Sequence, residues 1–265
     1  MHQENNQPLI SIITVVYNGE KYLEQTIQSV INQTYKNIEY IIIDGGSTDG
    51  TLDIIKRYEK NIAYWVSEKD NGLYDAMNKG IGIAKGELIG MINSDDWYVL
   101  NAVELIVKAY QENPTVNIFH ADRYDINDVG EKKLRRFHPS EFKMKYYGMT
   151  YNHPSMFITK KEYNQHMYNI ELRSMSDFQF VLECLLTNRN NFFYLNHAIV
   201  NYRLDGISAK LPLIKSLKEG FISRENAGLS FFENIFSLNI RIIVHLINKF
   251  RNSQWNYFIY SYIIY

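Results

Sequence analysis

Glu87-Leu88-Ile89-Gly90-Met91-Ile92-Asn93-Ser94-Asp95-Asp96 runs from an apolar segment straight into two adjacent carboxylates. The apolar part reads as a buried strand, so the acids stand just beyond its carboxyl end. Ligand sites of open α/β sheets gather there. Two neighbouring carboxylates repel each other unless positive charge lies beside them. A divalent cation that also carries phosphate oxygens meets that need. A turn followed by a helix N-cap accounts for the same residues, because Asp serves both purposes. The pair alone leaves the two readings level.

The residues before this stretch alternate strand-like and helix-like segments. Ile10 to Val16 is β-branched and strand-like. A helix is expected from about Glu20 to Asn32, with Tyr22, Leu23, Ile27, Val30 and Ile31 on one face. A second strand covers Ile38 to Ile43 and ends at Asp44. In the Gly45–Gly50 turn, Ser47 or Thr48 is placed to cap the next helix, which carries Leu52, Ile55 and Tyr58 inward. Ala63 to Val66 reads as a third strand, and a further helix begins near Tyr74. Continuously apolar strands separated by helices predict a mostly parallel central sheet covered on both faces. Parallel strands bring Val16-Tyr17-Asn18, Asp44 and Asp95-Asp96 to one edge.

The second half is less regular. A helix marked by Leu105, Ile106 and Tyr110 ends before Pro114, and a strand spans Val116 to Ala121. Asp122–Ile126 and Lys132–Phe137 read as a hairpin. Met156 to Thr159 and Phe192 to Leu195 read as strands, with a helix from Ser176 to Thr187 between them. After about Ser208 the chain turns helical and aromatic, and beyond Glu233 it carries no acids. We therefore divide it into residues 1–208, with a nucleotide-binding half (1–100) and an acceptor half (101–208), and a basic aromatic helical tail (209–265).

Composition narrows the classes. A chain of 265 residues with 46% hydrophobic content sustains a packed α/β core. A net charge of -1 gives no global footprint for nucleic acid. Cys184 is the sole cysteine, so no intrachain disulfide forms, which fits a reducing compartment. The first residues lack the basic and apolar regions of a secretory signal, and no stretch reaches ~18 uncharged apolar residues. Neither a three-glycine dinucleotide fingerprint nor a GKS/GKT phosphate loop occurs.

Thr14-Val15-Val16-Tyr17-Asn18, Ile43-Asp44-Gly45-Gly46-Ser47-Thr48-Asp49-Gly50-Thr51, Asn78-Lys79-Gly80 with Ala84-Lys85-Gly86, and Asn93-Ser94-Asp95-Asp96 together resemble the ordered blocks of family 2 glycosyltransferases. The resemblance covers about residues 8–100. Gly72 to Gly80 is similar to a bacterial subgroup that builds surface polysaccharides such as O-antigen. The resemblance implies a GT-A fold, a nucleotide-sugar donor, Mn²⁺ or Mg²⁺, and inversion at the anomeric carbon. It matches Asp44 to the contact with the nucleobase, usually uracil, Asp95 to the ribose contact and Asp96 to the metal ligand on the diphosphate. Thr14, Val15, Tyr17 and Asn78 match positions of the nucleotide-sugar pocket. Many relatives carry two acids where this chain has Asp44-Gly45.

The same resemblance implies a catalytic base at the start of a helix in the second half, and Asp177 in Ser174-Met175-Ser176-Asp177-Phe178 fits it. The helix dipole favours a carboxylate there; the lesser alternative is that Asp177 only helps cap its helix. His153 faces either the diphosphate or the acceptor, or sits in a turn. Arg203 neutralises phosphate or is a solvated surface residue. Relatives often carry a histidine near Asp205, which this chain lacks. The tail sets Arg241, Lys249 and Arg251 among Ile242, Ile243, Leu246, Ile247, Trp255, Tyr257 and Phe258. Such a helix lies at an anionic membrane surface or packs on protein. The expectation is a cytoplasmic enzyme at the inner face of the cell membrane, moving a hexose from a UDP-sugar to a lipid-linked saccharide. The alternatives are a polyprenyl-phosphate sugar synthase and a non-catalytic nucleotide-sugar-binding module.

Overall fold

The computed structural model describes residues 7–204 and 212–263, with side chains to residue 249. The first half alternates β1 (Ile10–Val16), α1 (Leu23–Ile31), β2 (Ile38–Asp44), α2 (Thr51–Arg57), β3 (Tyr64–Ser67), α3 (Leu73–Ile83) and β4 (Leu88–Asn93). β1 pairs in parallel with β2 and β4, and β2 with β3. The second half adds β5 (Trp97–Tyr98), α4 (Ala102–Glu112), β6 (Ile118–Ile126), β7 (Lys132–Arg135), α5 (Glu141–Tyr146), β8 (Phe157–Thr159), α6 (Lys160–Tyr163), α7 (Ser176–Thr187), β9 (Phe192–Arg203), α8 (Leu213–Asn226) and α9 (Phe231–Ile263).

One sheet of order β3-β2-β1-β4-β8-β6-β9-β5 results, with β7 attached to β6. β8 runs antiparallel to both β4 and β6, β6 pairs in parallel with β9, and β5 and β7 run against their neighbours. Six strands (β1, β2, β3, β4, β6 and β9) therefore point the same way. Their carboxyl ends share one edge, which is why residues from distant parts of the chain meet there.

Strand alternation divides the apolar residues between two cores. Ile10, Ile12 and Val16 pack with Leu23, Ile27 and Val30 of α1 and Ile106 of α4. Ile13 and Val15 face the opposite way, onto Met77 and Ile81 of α3 and Phe178 and Val181 of α7. Burial of each large apolar side chain contributes about 1.5–3 kcal/mol, so helices cover both faces. α3 lies so close to β1 that a Cβ at Gly80 would stand 2.6 Å from Ile13 Cγ2.

Several local expectations are corrected. α1 begins at Leu23 rather than near Glu20. Residues 18–20 are instead held by the β2–α2 turn: Gly19 N–H donates to Thr51 Oγ1, and the Glu20 carboxylate accepts from Gly50 N–H. Neither Ser47 nor Thr48 caps α2. Asp49 accepts from Thr51 N–H instead, while Ser47 serves Asp44. The segments read as Val116–Ala121 and Asp122–Ile126 form one strand, β6, whose pairing with β9 shifts register around Asp122. β9 continues to Arg203, well beyond Leu195.

α8 and the start of α9 pack back on the α/β body. Ser237 Oγ donates to the Tyr146 carbonyl, and Arg241 donates to Ser216. Ser208, the expected boundary, and Asp205 lie outside the described residues, as do the side chains of Arg251, Trp255, Tyr257 and Phe258. Among the described residues, no helix is long and apolar enough to cross a membrane.

Candidate active site

A cleft of about 570 Å³ opens at the shared edge of carboxyl ends. Its walls come from the β1 end (Val15 to Gly19), Lys21 and Tyr22, the Asp70–Leu73 loop, Asn93 to Asp95, and Tyr202 of β9. A somewhat larger hollow, about 620 Å³, lies across the molecule between Gly86, Asn117 and Thr159. It brings in none of the acidic strand ends, so the first cleft is the candidate site.

The acidic pair is split by depth. Asp95 lines the cleft, whereas Asp96 lies beneath it and is 1% exposed. Asp96 Oδ1 accepts from Arg203 N–H at 3.0 Å and Oδ2 from Asn93 Nδ2 at 3.1 Å. Burial, and next the neighbouring Asp95 charge, push the Asp96 carboxyl up to about 8. Among the described residues no cationic side chain bonds it: Arg123, whose charge opposes that shift, is paired with Asp125 at 2.7 Å, and Arg203 meets it through its backbone N–H. The two carboxylates thus have the oxygen-donor chemistry that suits a divalent cation. Among the described residues, no further His, Cys, Asp or Glu closes on it to complete an all-protein cage. That suits an ion sharing its shell with phosphate oxygens.

Arg203 is partly exposed, and neighbouring protein groups hold its guanidinium. Its Nε donates to the Asp95 carbonyl at 3.0 Å and its Nη2 to Gln25 Oε1 at 2.7 Å. The guanidinium lies 3.9 Å from the Tyr22 ring centre and 4.8 Å from that of Trp97. It braces the loop that carries the acids.

Asp44 is fully buried. Its carboxylate accepts from Gly46 N–H, Ser47 N–H, Ser47 Oγ and Ser67 Oγ, which is about its full capacity. In this state it organises the glycine turn rather than facing a ligand. Asp70 reaches the position a side chain at Gly45 would occupy, since a Cβ there would stand 2.5 Å from Asp70 Oδ2. A carboxylate from the Asp70 loop thus lies beside Gly45.

Val15 and Tyr17 line the cleft, and Tyr17 is 64% exposed. Thr14 and Asn78 do not. Thr14 is fully buried, with its hydroxyl 3.0 Å from that of Tyr40. Asn78 spends both ends of its amide on the backbone of Tyr168, at 2.8 and 3.1 Å. It joins α3 to the acceptor half.

Asp177 sits in the first turn of α7 and is partly exposed. Its Oδ1 accepts from the Tyr74 hydroxyl and from Phe178 N–H, both at 2.9 Å. His153 Nε2 lies 2.8 Å from the Tyr168 hydroxyl, which in turn meets Tyr163 at 3.1 Å. Burial lowers the His153 pKa, and Asp177 opposes that shift. Tyr202 links the two acidic groups: burial first, then Asp96, Asp95 and Asp177, raise its pKa against the opposing Arg123 charge. Asp70, Tyr74 and Tyr202 were missed as site residues. For Asp70, the missing second acid at Gly45 was the available signal.

Against known proteins, the model for "Glycosyl transferase family 2" matches residues 11–167. The chain is 29% identical to an uncharacterized glycosyltransferase of Methanocaldococcus jannaschii over 81% of its own length and 77% of that protein's. It is 28% identical to the hyaluronan synthase of Pasteurella multocida over 85% of its length, yet spans only 24% of that synthase. Among solved structures, S. aureus TarS 1-349 in complex with UDP-GlcNAc superposes with a TM-score of 0.66 at 18% identity, covering 88% of this chain and 71% of that one. The mannosyltransferase PcManGT of Pyrobaculum calidifontis, in complex with GDP-Man and Mn²⁺, gives 0.62 at 14% identity over 89% and 70%. The architecture they share with this chain is the GT-A fold.

Proposed function

The chain belongs to glycosyl transferase family 2, and on that footing we propose an inverting, metal-dependent enzyme that moves a hexose from a UDP-sugar to a hydroxyl of a lipid-linked saccharide. The observation that carries this reading is the acidic pair at the shared strand edge. One member lines the cleft, and the other is buried, with no cationic side chain bonded to it among the described residues.

Tyr17 offers an exposed ring for the base to stack on. Asp70, above the turn that Asp44 holds, offers an acceptor for a base N–H. Asp95 faces the ribose. Asp95 and Asp96 are the residues that would hold Mn²⁺ or Mg²⁺, and the ion would neutralise charge gathering on the departing diphosphate. Asp177 receives the acceptor proton as the hydroxyl attacks the anomeric carbon opposite the leaving group. Tyr74 occupies Oδ1, which leaves Oδ2 to take that proton.

A lipid-linked acceptor is supported by the tail. Phe232, Phe236, Ile243 and Ile247 of α9 are exposed, and Lys249 follows on the same helix. We read this helix as lying at an anionic membrane surface, on the cytoplasmic side. Removing the residues after Ser230 should then deplete the protein from the membrane fraction. Unchanged partition would leave the strip to a protein partner.

The deciding experiment is a donor-hydrolysis screen over UDP- and GDP-sugars, with Mn²⁺, Mg²⁺ or chelator. Turnover of a UDP-sugar with metal, and inversion at the anomeric carbon, are expected. A GDP preference removes uridine, full rate in chelator removes the metal, and retention removes the single displacement. An Asp177→Asn variant with full activity would favour an acceptor that is already anionic, such as a polyprenyl phosphate.

A further inference from the structure

Within the second half, Glu162 of α6, His166 and Cys184 of α7 bring a carboxylate oxygen, a ring nitrogen and a thiol sulfur within 4.8 Å of one another. Glu162 is 4% exposed and Cys184 1%. Taking a carboxylate out of water costs several kcal/mol unless positive charge or hydrogen bonds compensate. Here Glu162 Oε2 accepts from two neutral amides, Asn191 Nδ2 at 2.8 Å and Asn117 Nδ2 at 3.2 Å. Its Oε1 stands 3.9 Å from His166 Nε2, and His166 Nδ1 stands 3.5 Å from Glu183 Oε2.

The surroundings have the form of a metal ligand's outer shell. Metal-binding histidines usually hand their second nitrogen to a carboxylate, and ligating carboxylates are themselves held by hydrogen bonds. Glu183 is positioned for the first task, and Asn117 and Asn191 perform the second.

We propose that Glu162, His166 and Cys184 form a transition-metal site, separate from the acidic pair, with zinc the ion that its oxygen, nitrogen and sulfur donors suit. Zinc bonds of about 2.0–2.3 Å imply tetrahedral edges of roughly 3.3–3.6 Å. Closing the site therefore takes a contraction of about 1 Å or slightly more. Three protein ligands leave the fourth position to water, and the His166 side chain is 20% exposed. Binding exchanges the Cys184 thiol proton for the metal: the S–H bond breaks, a sulfur–zinc bond forms, and the proton leaves to solvent. The ion would staple the β8–α6 segment to the middle of α7, about 10 Å along the helix from Asp177. Its role is to fix that helix.

The test uses the full chain, stripped of metal and titrated with Co²⁺, and as purified without chelator for elemental analysis. One equivalent of retained zinc is expected. Co²⁺ should give a thiolate-to-metal charge-transfer band and intense tetrahedral d–d bands, neither displaced by excess Mn²⁺ with UDP. Cys184→Ser should abolish the charge-transfer band, and Glu183→Gln should weaken Co²⁺ binding about 10–100-fold. Because Cys184 lies in the core, His166→Ala at the partly exposed ligand is the second variant, and it should lose the bound equivalent. A Co²⁺ complex without the charge-transfer band, or undiminished affinity in His166→Ala, overturns the site.

Discussion

Replacing Asp96 by Asn should flatten the pH dependence of stability in metal-free protein. Burial, and next Asp95, lift the Asp96 carboxyl from 3.8 to about 8 in the folded state. The unfolded chain returns it to ~3.9. A folded pKa above the unfolded one means that the folded protein keeps a proton the unfolded chain has released. The contribution is therefore fully present below about pH 4, falls as pH rises toward 8, and is lost above that. Each unit corresponds to about 1.4 kcal/mol. Between pH 5.5 and 8, Asp96 alone should remove on the order of 3 kcal/mol. Little solvent screening applies at 1% exposure. The amide of the variant has no proton to lose, while its oxygen can still accept from Arg203 N–H. The assay is urea denaturation in chelator at the two pH values. The wild type should lose about 3 kcal/mol more than the variant over that interval. Parallel pH slopes for the two proteins would refute the argument, because Asp96 would then be ionised throughout and matched by some other charge.

Tyr74→Phe removes a hydrogen bond to Asp177 Oδ1. We expect kcat to fall on the order of tenfold with little change in donor KM. An unaltered rate would exclude Tyr74 from positioning the base. Asn78→Ala breaks two bonds to the Tyr168 backbone and should lower stability by about 2–3 kcal/mol in thermal or urea unfolding. A raised donor KM with native stability would return Asn78 to the donor site. Gly45→Ala puts a methyl against Asp70 Oδ2, the mobile end of a side chain. Donor KM should rise while the melting temperature holds, whereas an unchanged KM would mean that Asp70 does not touch the donor.

Much of the fold is legible because its cause is local. Unbroken apolar runs such as Ile10–Val16 and Leu88–Ile92 read as buried parallel strands, and their helices bury residues at helical spacing. β9 is not legible in the same way. Asn196 and His197 interrupt its apolar pattern, and the register shifts around Asp122 break the alternation along β6. Pairing with a strand remote in sequence holds these residues extended. The Glu162–His166–Cys184 cluster is equally hidden, since no short spacing links Cys184 to the other two.

Ladder position explains which site residues reach the cleft. Thr14 and Asp44 lie inside the ladder, where Thr14 pairs with Ile42, and Asp44 with Val16 and Ser67. A strand residue points into one core or the other, so a polar side chain there must find internal partners, as both do. Tyr17 and Asp95 lie past the last paired residues of β1 and β4 and turn into the cleft. Asp96 also lies past β4, and by position alone it should be open. It directly precedes β5, however, and Trp97 pairs with Asn201 of β9. That pairing draws the Arg203 amide onto the carboxylate and buries it. Access to Asp96 is thus controlled by the end of β9, more than a hundred residues away in sequence. If Asp96 holds the proposed cation, the Arg203 amide that now occupies Oδ1 must yield or share that oxygen, so the proposed metal site would extend to the β9 terminus.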